Sequence, residues 1–307
     1  MLKNKNKYLR FLGNGILFFV IIFMFDQLLG NVLRHYYFQR KSGESYLSTY
    51  AMDSNQAEII ILGSSRANHH YVSQIFKDSL KMSCYNSGRD GCLILYNVAV
   101  FKSILKRYRP KIVIFDINPD EIFYTKDSYE KLNVLYPYYY DKPEVQKIIN
   151  FKSNFEHFKF LSCLYPFNST FIGSIFRQKI DMNERNLKGY IPLYGTTLSN
   201  TSIQKGNNVE SSLDSNNIRE LLDLAKICNN NGIRLIFIQS PRYTKLNQSF
   251  SIETLRKIAS INNSEFWNYG NDSLFIIKPS LFKDAAHMNN EGAIMFSKTI
   301  IKRIKQN

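Results

Sequence analysis

The sequence is poor in cysteine and has a single tryptophan among its 307 residues. Four cysteines without a C-x-x-C pair exclude a disulfide-dense scaffold and offer no spacing typical of a structural zinc site. Only 14 glycines and 8 prolines are present, which excludes a collagen-like or low-complexity chain. Hydrophobic residues make up 44% of the chain, enough for a sizeable core and ordinary for a globular protein.

Acidic residues are also scarce. Forty lysines and arginines stand against 25 aspartates and glutamates, for a net charge of +15. Such a charge favours acidic partners, which include nucleic acids, anionic lipids and acidic polymers. The basic residues form no run longer than two, and no zinc finger or RNA-binding aromatic motif is present, so we expect no nucleic-acid partner.

Long apolar runs are absent except for one at residues 11–33. Its 23 residues would form a helix of about 34 Å, enough to cross the hydrocarbon core of a bilayer. The only charged residue in this run is Asp26. No small-x-small cleavage site and no lipoprotein cysteine follow it, so the run predicts a permanent anchor in the lipid bilayer.

The charges beside this run indicate its orientation. More positive charge precedes the run than follows it, so residues 1–10 are predicted to be a cytoplasmic tail. Residues 34–56 are then a linker, and residues 57–307 form a domain outside the cytoplasm, in the periplasm or at the cell surface. The preceding charges are Lys3, Lys5, Lys7 and Arg10, and the following ones are Arg34, Arg40 and Lys41.

Short apolar runs bounded by turn residues predict buried strands, and amphipathic patterns between them predict helices. This alternation predicts an α/β fold with a parallel sheet and helices on both faces. The aromatic-rich region 121–214 does not follow this alternation of strands and helices, and it is predicted to be an insertion or cap on the domain. The predicted strands are 57–62, 82–85, 111–117, 233–238 and 266–269, and the predicted helices are 93–108, 215–228 and 290–305.

Three loops at the predicted strand ends carry residues suited to catalysis. Gly63-Ser64-Ser65 follows the first strand and places a hydroxyl at the strand tip, beside the free N–H groups of a helix start. A glycine-containing loop, Asn86–Gly91, follows the second strand. Asp284 and His287 lie three residues apart before the last helix, where a carboxylate can orient an imidazole.

Together these motifs resemble those of the SGNH, or GDSL-like, hydrolase superfamily over roughly residues 57–120 and 215–304. The resemblance implies a flavodoxin-like sheet of about five parallel strands. It also implies that Ser65 is the nucleophile, Asp284 the orienting acid and His287 the base. Because the family's Gly-Asp-Ser is Gly-Ser-Ser here, Ser64 remains an alternative to Ser65.

The same resemblance implies an oxyanion hole made by the N–H groups of Ser65 and Gly91, with Asn118 as a third donor. The family's Gly-x-Asn-Asp after the third strand is altered here, so Asp120 could instead occupy the position assigned to Asn118. An aspartate there would be a poor oxyanion ligand unless protonated. No cofactor and no metal site are expected, although Asp116, Asp120 and Glu121 together offer a weak metal-binding pattern.

The anchor and the Gly-Ser-Ser motif resemble the subgroup that includes the D-alanine-transfer and alginate O-acetylation proteins. This resemblance implies a serine esterase or acyltransferase acting on O-acyl, most simply acetyl, groups of a cell-surface polysaccharide. A partner could be an integral membrane O-acyltransferase. The alternative is a degenerate SGNH domain that binds glycan or scaffolds such an enzyme. The remaining histidines are interpreted as structural: His69 and His70 as surface residues at a helix start, and His157 as packing.

Overall fold

A computed structural model describes residues 2–167, 188–198, 212–244 and 248–306. Its centre is a five-stranded parallel sheet with the strand order β2-β1-β3-β4-β5. This is the flavodoxin-like order, so the predicted α/β fold is confirmed. The strands are β1 (Ile59–Gly63), β2 (Cys84–Asn86), β3 (Ile112–Asp116), β4 (Arg234–Gln239) and β5 (Glu265–Asn268).

Helices follow each strand and cover both faces of the sheet. They are α1 (Leu2–Phe38), α2 (Gly43–Asp53), α3 (Ser65–His70), α4 (Ser73–Leu80), α5 (Ile94–Leu105), α6 (Lys126–Glu130), α7 (Pro143–Ile149), α8 (Glu156–Lys159), α9 (Ser215–Asn230), α10 (Ser249–Ile261), α11 (Ser273–Ile276) and α12 (Asn290–Gln306). Short 3₁₀ helices cover Pro119–Ile122, Lys131–Tyr138, Tyr165–Phe167 and Pro279–Leu281.

The central strands are buried on both faces because a parallel sheet is covered by helices on each side. Side chains alternate between the faces, so Ile60 and Leu62 join one core cluster while Ile59 and Ile61 join the other. The first cluster includes residues of α5, α9 and α10, and the second includes residues of α3, α4 and α12.

The region predicted to be an insertion begins after β3. Its residues 121–167 contribute many aromatic side chains to the core cluster that contains α5, and helix α7 packs directly on α5. Residues 188–198 instead run past the ends of α3 and α12, as described below. Residues 168–187 and 199–211 of the predicted insertion lie outside the described part of the chain.

Helix α1 contains the predicted anchor and continues beyond it. It is long and apolar enough to cross a membrane, and its large hydrophobic side chains from Phe11 to Phe25 are exposed. The segment 34–56, expected to be a linker, is largely helical: α1 continues to Phe38 and α2 follows at Gly43. Its helices form because their buried residues, including Tyr37 and Met52, join the core of the domain.

Candidate active site

The Gly63-Ser64-Ser65 turn joins β1 to α3. Gly63 adopts a φ of +142°, and a Cβ at this position would lie 2.5 Å from the Asp116 carbonyl oxygen, so only glycine fits. The Gly63 N–H donates to Asn97 Oδ1 at 2.8 Å, which fixes the turn against α5. Ser65 is the first residue of α3, where a backbone N–H has no partner within the helix.

Three of the predicted site residues form a continuous hydrogen-bonded array. Ser65 Oγ lies 2.7 Å from His287 Nε2, and His287 Nδ1 lies 3.0 Å from each carboxylate oxygen of Asp284. Because a carboxylate only accepts, Nδ1 carries the proton and Nε2 is left to accept from the Ser65 hydroxyl. Ser64, the alternative nucleophile, is the buried N-cap residue of α3 and makes no bond to His287.

The Asp284 carboxylate is held in place by its own loop. Its Oδ1 accepts from the N–H groups of Ala286 at 2.8 Å and His287 at 2.9 Å. Partial burial acts to raise the pKa of Asp284, but these hydrogen bonds and the one to the imidazole outweigh it, so the pKa lies below the ordinary value. Asp284 is therefore ionised at neutral pH and can stabilise an imidazolium.

His70 attaches the His287 loop to helix α3. Its Nε2 accepts from the Met288 N–H at 2.9 Å, so its Nδ1 carries the proton and donates to Ser240 Oγ at 2.9 Å. Complete burial, followed by the positive charges of His287 and Arg66, lowers the pKa of His70 well below its ordinary value. His70 is thus a neutral, buried group.

His69 is buried as well, beside the same site. Its Nδ1 donates to the Ile191 carbonyl at 2.7 Å, and its Nε2 lies 3.4 Å from the Asp90 carboxylate. Burial acts to lower the pKa of His69. The hydrogen bonds to Asp90 and Ile191 act in the opposite direction and outweigh burial, so the pKa lies above its ordinary value. The interpretation of His69 and His70 as surface residues is therefore wrong, because α3 is buried between the sheet and the last helix.

The glycine loop after β2 lies against α3. Arg89 N–H donates to the Gly63 carbonyl at 3.1 Å, and a Cβ on Gly88 would lie 2.5 Å from the Asn68 nitrogen. Gly91, the proposed oxyanion glycine, adopts a φ of +69°, which favours glycine. A Cβ there would meet the Lys131 side chain at 3.3 Å, so the loop also contacts the insertion.

Asn118 and Asp120 are held by one glutamine that the sequence did not single out. Gln248 Nε2 donates to Asn118 Oδ1 at 2.7 Å and to Asp120 Oδ2 at 2.6 Å. Asp120 also accepts from Ser251 Oγ at 2.9 Å, so both of its oxygens are engaged. With its oxygen engaged, Asn118 keeps its Nδ2 group as a donor, whereas the side chain of Asp120 has no N–H to offer an oxyanion.

A buried charged cluster adjoins the Gly63-Ser64-Ser65 turn. Arg66 Nη2 lies 3.4 Å from Asp116 Oδ1, and Tyr71 donates its hydroxyl to Asp116 Oδ2 at 2.6 Å. Within the described residues, both terminal nitrogens of Arg66 are buried without a hydrogen-bond partner. Burial, and then the positive charge of Arg66, lowers the pKa of Arg242. This arrangement leaves cationic groups beside the Ser65 turn.

The other sequence-based expectations concern metals and His157. No cluster of three or more potential metal ligands is found in the described ranges. Asp116 instead pairs with Arg66, and Glu121 Oε1 accepts from the Asn118 N–H at 3.2 Å. His157 is exposed on α8, with its ring centroid 4.0 Å from that of Phe158.

Residues 188–198 of the insertion pass beside the array of Ser65, His287 and Asp284. Ile191 N–H donates to the Asn68 carbonyl at 3.1 Å, and Thr197 N–H donates to the Lys283 carbonyl at 2.6 Å. This segment therefore connects α3 with the loop that carries Asp284 and His287. The aromatic composition of residues 121–214 predicted an insertion or cap. The position of residues 188–198 beside this array could not be predicted, because backbone hydrogen bonds between distant segments leave no pattern in the sequence.

No family model and no curated protein sequence matches the chain. Its fold is similar to that of solved structures at low sequence identity. One is a Streptococcus pneumoniae protein provisionally described as a platelet activating factor (12% identity, TM-score 0.43, 92% of this chain and 98% of that chain). Another is a provisionally described acylhydrolase from Bacteroides fragilis (12% identity, TM-score 0.43, 87% of this chain and 99% of that chain).

A third similar structure is a gut microbial diltiazem-metabolizing enzyme (14% identity, TM-score 0.40, 80% of this chain). The chain spans only 46% of the length of that protein. At identities of 12–14% the similarity concerns the fold alone.

Proposed function

We propose that the protein is a membrane-anchored serine esterase or acyltransferase of the SGNH type. The observation that carries this proposal is the array in which Asp284, His287 and Ser65 are joined by hydrogen bonds of 3.0 and 2.7 Å. A hydroxyl joined to an imidazole, which is joined in turn to a carboxylate, is the arrangement that activates serine for nucleophilic catalysis.

In this mechanism Ser65 Oγ attacks the carbonyl carbon of an ester, and its proton moves to His287 Nε2. Asp284 stabilises the resulting imidazolium. The N–H groups of Ser65 and Gly91, together with Asn118 Nδ2, would stabilise the negative oxygen of the tetrahedral intermediate. His287 then returns the proton to the leaving alcohol, and the acyl group remains on Ser65 as an ester. A second hydroxyl, from water or from an acceptor, removes it by the same steps in reverse order.

The proposed substrate is an O-acyl group, most simply acetyl, on an acidic cell-surface polysaccharide. Three features support this choice. The net charge of +15 favours an acidic polymer, Arg66 and Arg242 place positive charge near the nucleophile turn, and α1 would hold the site near the bilayer. In the proposed topology the N-terminus is cytoplasmic and the domain lies outside, where surface polysaccharides and integral membrane O-acyltransferases are accessible.

A fluorophosphonate probe tests the enzymatic proposal directly. The full chain in detergent should be labelled, and Ser65→Ala should lose the label because the probe reacts with an activated serine. Ser64→Ala is the matched control and should retain it. Absence of labelling in the folded wild-type chain would favour the non-enzymatic alternative, a glycan-binding or scaffolding domain.

The native reaction is tested in cells by measuring the O-acyl content of the surface polysaccharide. Deletion of the gene and the Ser65→Ala substitution should both lower this content if the protein adds acyl groups. The segment 188–198 beside the array supports transfer, since partial cover of a site favours an acceptor hydroxyl over water. A rise in O-acyl content in the Ser65→Ala strain would identify a de-acylating esterase instead.

A further inference from the structure

Helix α1 changes its surroundings at Asp26. Before this residue, both its large hydrophobic side chains and its polar residues are exposed around the helix. From Asp26 onward, one side of the helix is covered by the domain, and Gly30 and Tyr37 are buried. The uncovered part from Asn6 to Phe25 has 20 residues and is about 30 Å long, close to the hydrocarbon thickness of a bilayer. Its charged residues, Lys7 and Arg10, lie at its N-terminal end, where long basic side chains can extend to the lipid headgroups.

The domain meets α1 at this point through residues 161–163. The Cys163 N–H donates to Asp26 Oδ2 at 2.8 Å, and Gln27 Nε2 donates to the Leu161 carbonyl at 3.2 Å. A Cβ on Gly30 would lie 2.3 Å from Cys163 Cβ, so the small residue allows close approach. These contacts explain the one charged residue of the apolar run 11–33, because Asp26 accepts a hydrogen bond from the domain where the uncovered part ends.

Three large apolar side chains are exposed immediately beside this contact. Phe155, Phe158 and Leu161 have exposed fractions of 68%, 58% and 66%. The Phe158 N–H donates to the Phe155 carbonyl and the Leu161 N–H to the Phe158 carbonyl, each at 3.1 Å. Because an i→i+3 pattern places residues three apart on one side, these side chains form a single patch, which we call the 155–161 patch.

The opposite side of this segment is anchored in the domain. Glu156 and Phe160 are 1% and 4% exposed, and the Phe160 ring lies 3.5 Å from that of Tyr139 in a parallel stack. The patch is therefore presented outward by a fixed segment. Lys152 and Lys159 belong to the same segment, and Lys159 pairs with Glu156. Exposed aromatic residues with neighbouring lysines are typical of segments that lie in the interface of a membrane.

We propose that the 155–161 patch inserts into the interfacial region of the bilayer that α1 crosses. The lipid headgroups are the proposed partner because of the position of the patch. It adjoins Asp26, where the uncovered part of α1 ends, so it lies at the depth of the headgroups. The hydrocarbon-spanning part of α1 then ends near residue 25, earlier than the predicted residue 33, and the domain rests on the membrane surface. This inference depends on α1 crossing the membrane, and it is independent of the proposed catalytic activity.

Fluorescence quenching by brominated lipids tests the depth of the patch. The full chain is reconstituted in vesicles of phosphatidylcholine and phosphatidylglycerol, brominated either near the headgroup or deep in the acyl chain. Three variants each add one tryptophan: Phe158→Trp in the patch, Ile16→Trp in the middle of the uncovered part of α1, and Ile277→Trp as the control. Ile277 is 69% exposed and follows α11, whose Phe275 belongs to the core on the other face of the sheet. The native Trp267 is 2% exposed and gives a common background.

We expect the Phe158→Trp variant to show a blue-shifted emission and a larger loss of intensity with shallow bromines than with deep ones. The Ile16→Trp variant should show the reverse preference, and Ile277→Trp should show no loss beyond the background. Quenching of Ile16→Trp without quenching of Phe158→Trp would overturn the inference and leave the anchor intact. Absence of quenching in both would overturn the anchor as well. Fluorophosphonate labelling of the same samples reports separately on the catalytic proposal.

Discussion

The Nε2 atom of His70 accepts a hydrogen bond from the Met288 N–H at 2.9 Å. His70 ends the helix that begins with Ser65, and Met288 directly follows His287. One neutral imidazole therefore connects the two segments that carry the proposed nucleophile and base, which are 222 residues apart in the sequence.

Substitution of His70 tests this positioning role. His70→Ala leaves the buried Met288 N–H without an acceptor, which should cost about 1–3 kcal/mol of stability and slow the reaction of Ser65 with a fluorophosphonate. His70→Gln offers an oxygen in place of Nε2 and should retain more of both. Thermal unfolding and the rate of fluorophosphonate labelling measure the two effects, with the exposed His157→Ala as control. Equal labelling rates for folded His70→Ala and wild type would contradict the positioning role.

The proposed triad predicts a characteristic pattern of non-additive losses. Ser65→Ala and His287→Ala should each lower kcat by at least about 10³-fold, and Asp284→Ala somewhat less. Combining the substitutions should add little, because the three groups act as one unit. Steady-state hydrolysis of a small ester measures this, and unfolding midpoints confirm that the variants are folded. A large loss in Ser64→Ala with activity retained in Ser65→Ala would shift the nucleophile by one residue.

The third oxyanion donor can be assigned by comparing Asn118 with Asp120. Asn118→Ala should lower kcat by about 10²–10³-fold with little change in KM, because an oxyanion donor acts mainly in the transition state. Asp120→Asn should be milder, since both oxygens of Asp120 are already bound by Gln248 and Ser251. The opposite order of effects would place the oxyanion position two residues later in the loop.

The burial of Glu121 should make the stability of the protein depend on pH in an unusual direction. Complete burial raises its pKa from 4.5 to about 8, so the folded protein keeps a proton that the unfolded chain releases. Between these two values the unfolded state binds fewer protons, and stability should fall with rising pH by up to about 1.4 kcal/mol per unit.

Glu121→Gln should remove this dependence. The variant should be more stable than wild type at pH 8, and the difference should shrink towards pH 4.5 because Glu121 is then protonated in both states. Unfolding midpoints of the full chain in detergent at several pH values measure this. Glu253→Gln, at an exposed position of α10, is the control and should follow the wild-type curve. Parallel curves for wild type and Glu121→Gln would show that Glu121 ionises normally.

The features that could be predicted from the sequence are those determined by short stretches of neighbouring residues. Apolar runs ending in turn residues predicted all five strands to within two residues at each end. The signal is clearest for the central strands β1, β3 and β4, because a strand buried on both faces needs an uninterrupted apolar run. The spacing of Asp284 and His287, and their place before the last helix, likewise identified a candidate pair that the structure brings to Ser65.

Contacts between distant segments could not be predicted in this way. Gln248 holds Asn118 from 130 residues away, and His70 bonds to Met288 from 218 residues away. A buried histidine and a surface histidine look alike in one sequence, because burial depends on what packs over the helix. Hydropathy also could not locate the point where the domain begins to cover α1, since apolar residues after Asp26, such as Leu33 and Tyr37, pack on the domain.

Helix α1 runs without a break from Leu2 to Phe38 and is joined by a four-residue turn to α2, which packs on α5. A helix has a fixed rise per residue and does not stretch like a flexible tether. In the proposed topology, α1 therefore holds the domain at a set height above the bilayer and fixes the distance from the bilayer to Ser65. The proposed esterase would then reach acyl esters presented at that height, but not the distal parts of a long surface polymer. Inserting helical turns after Phe38 should change which esters it reaches without altering Ser65, His287 or Asp284.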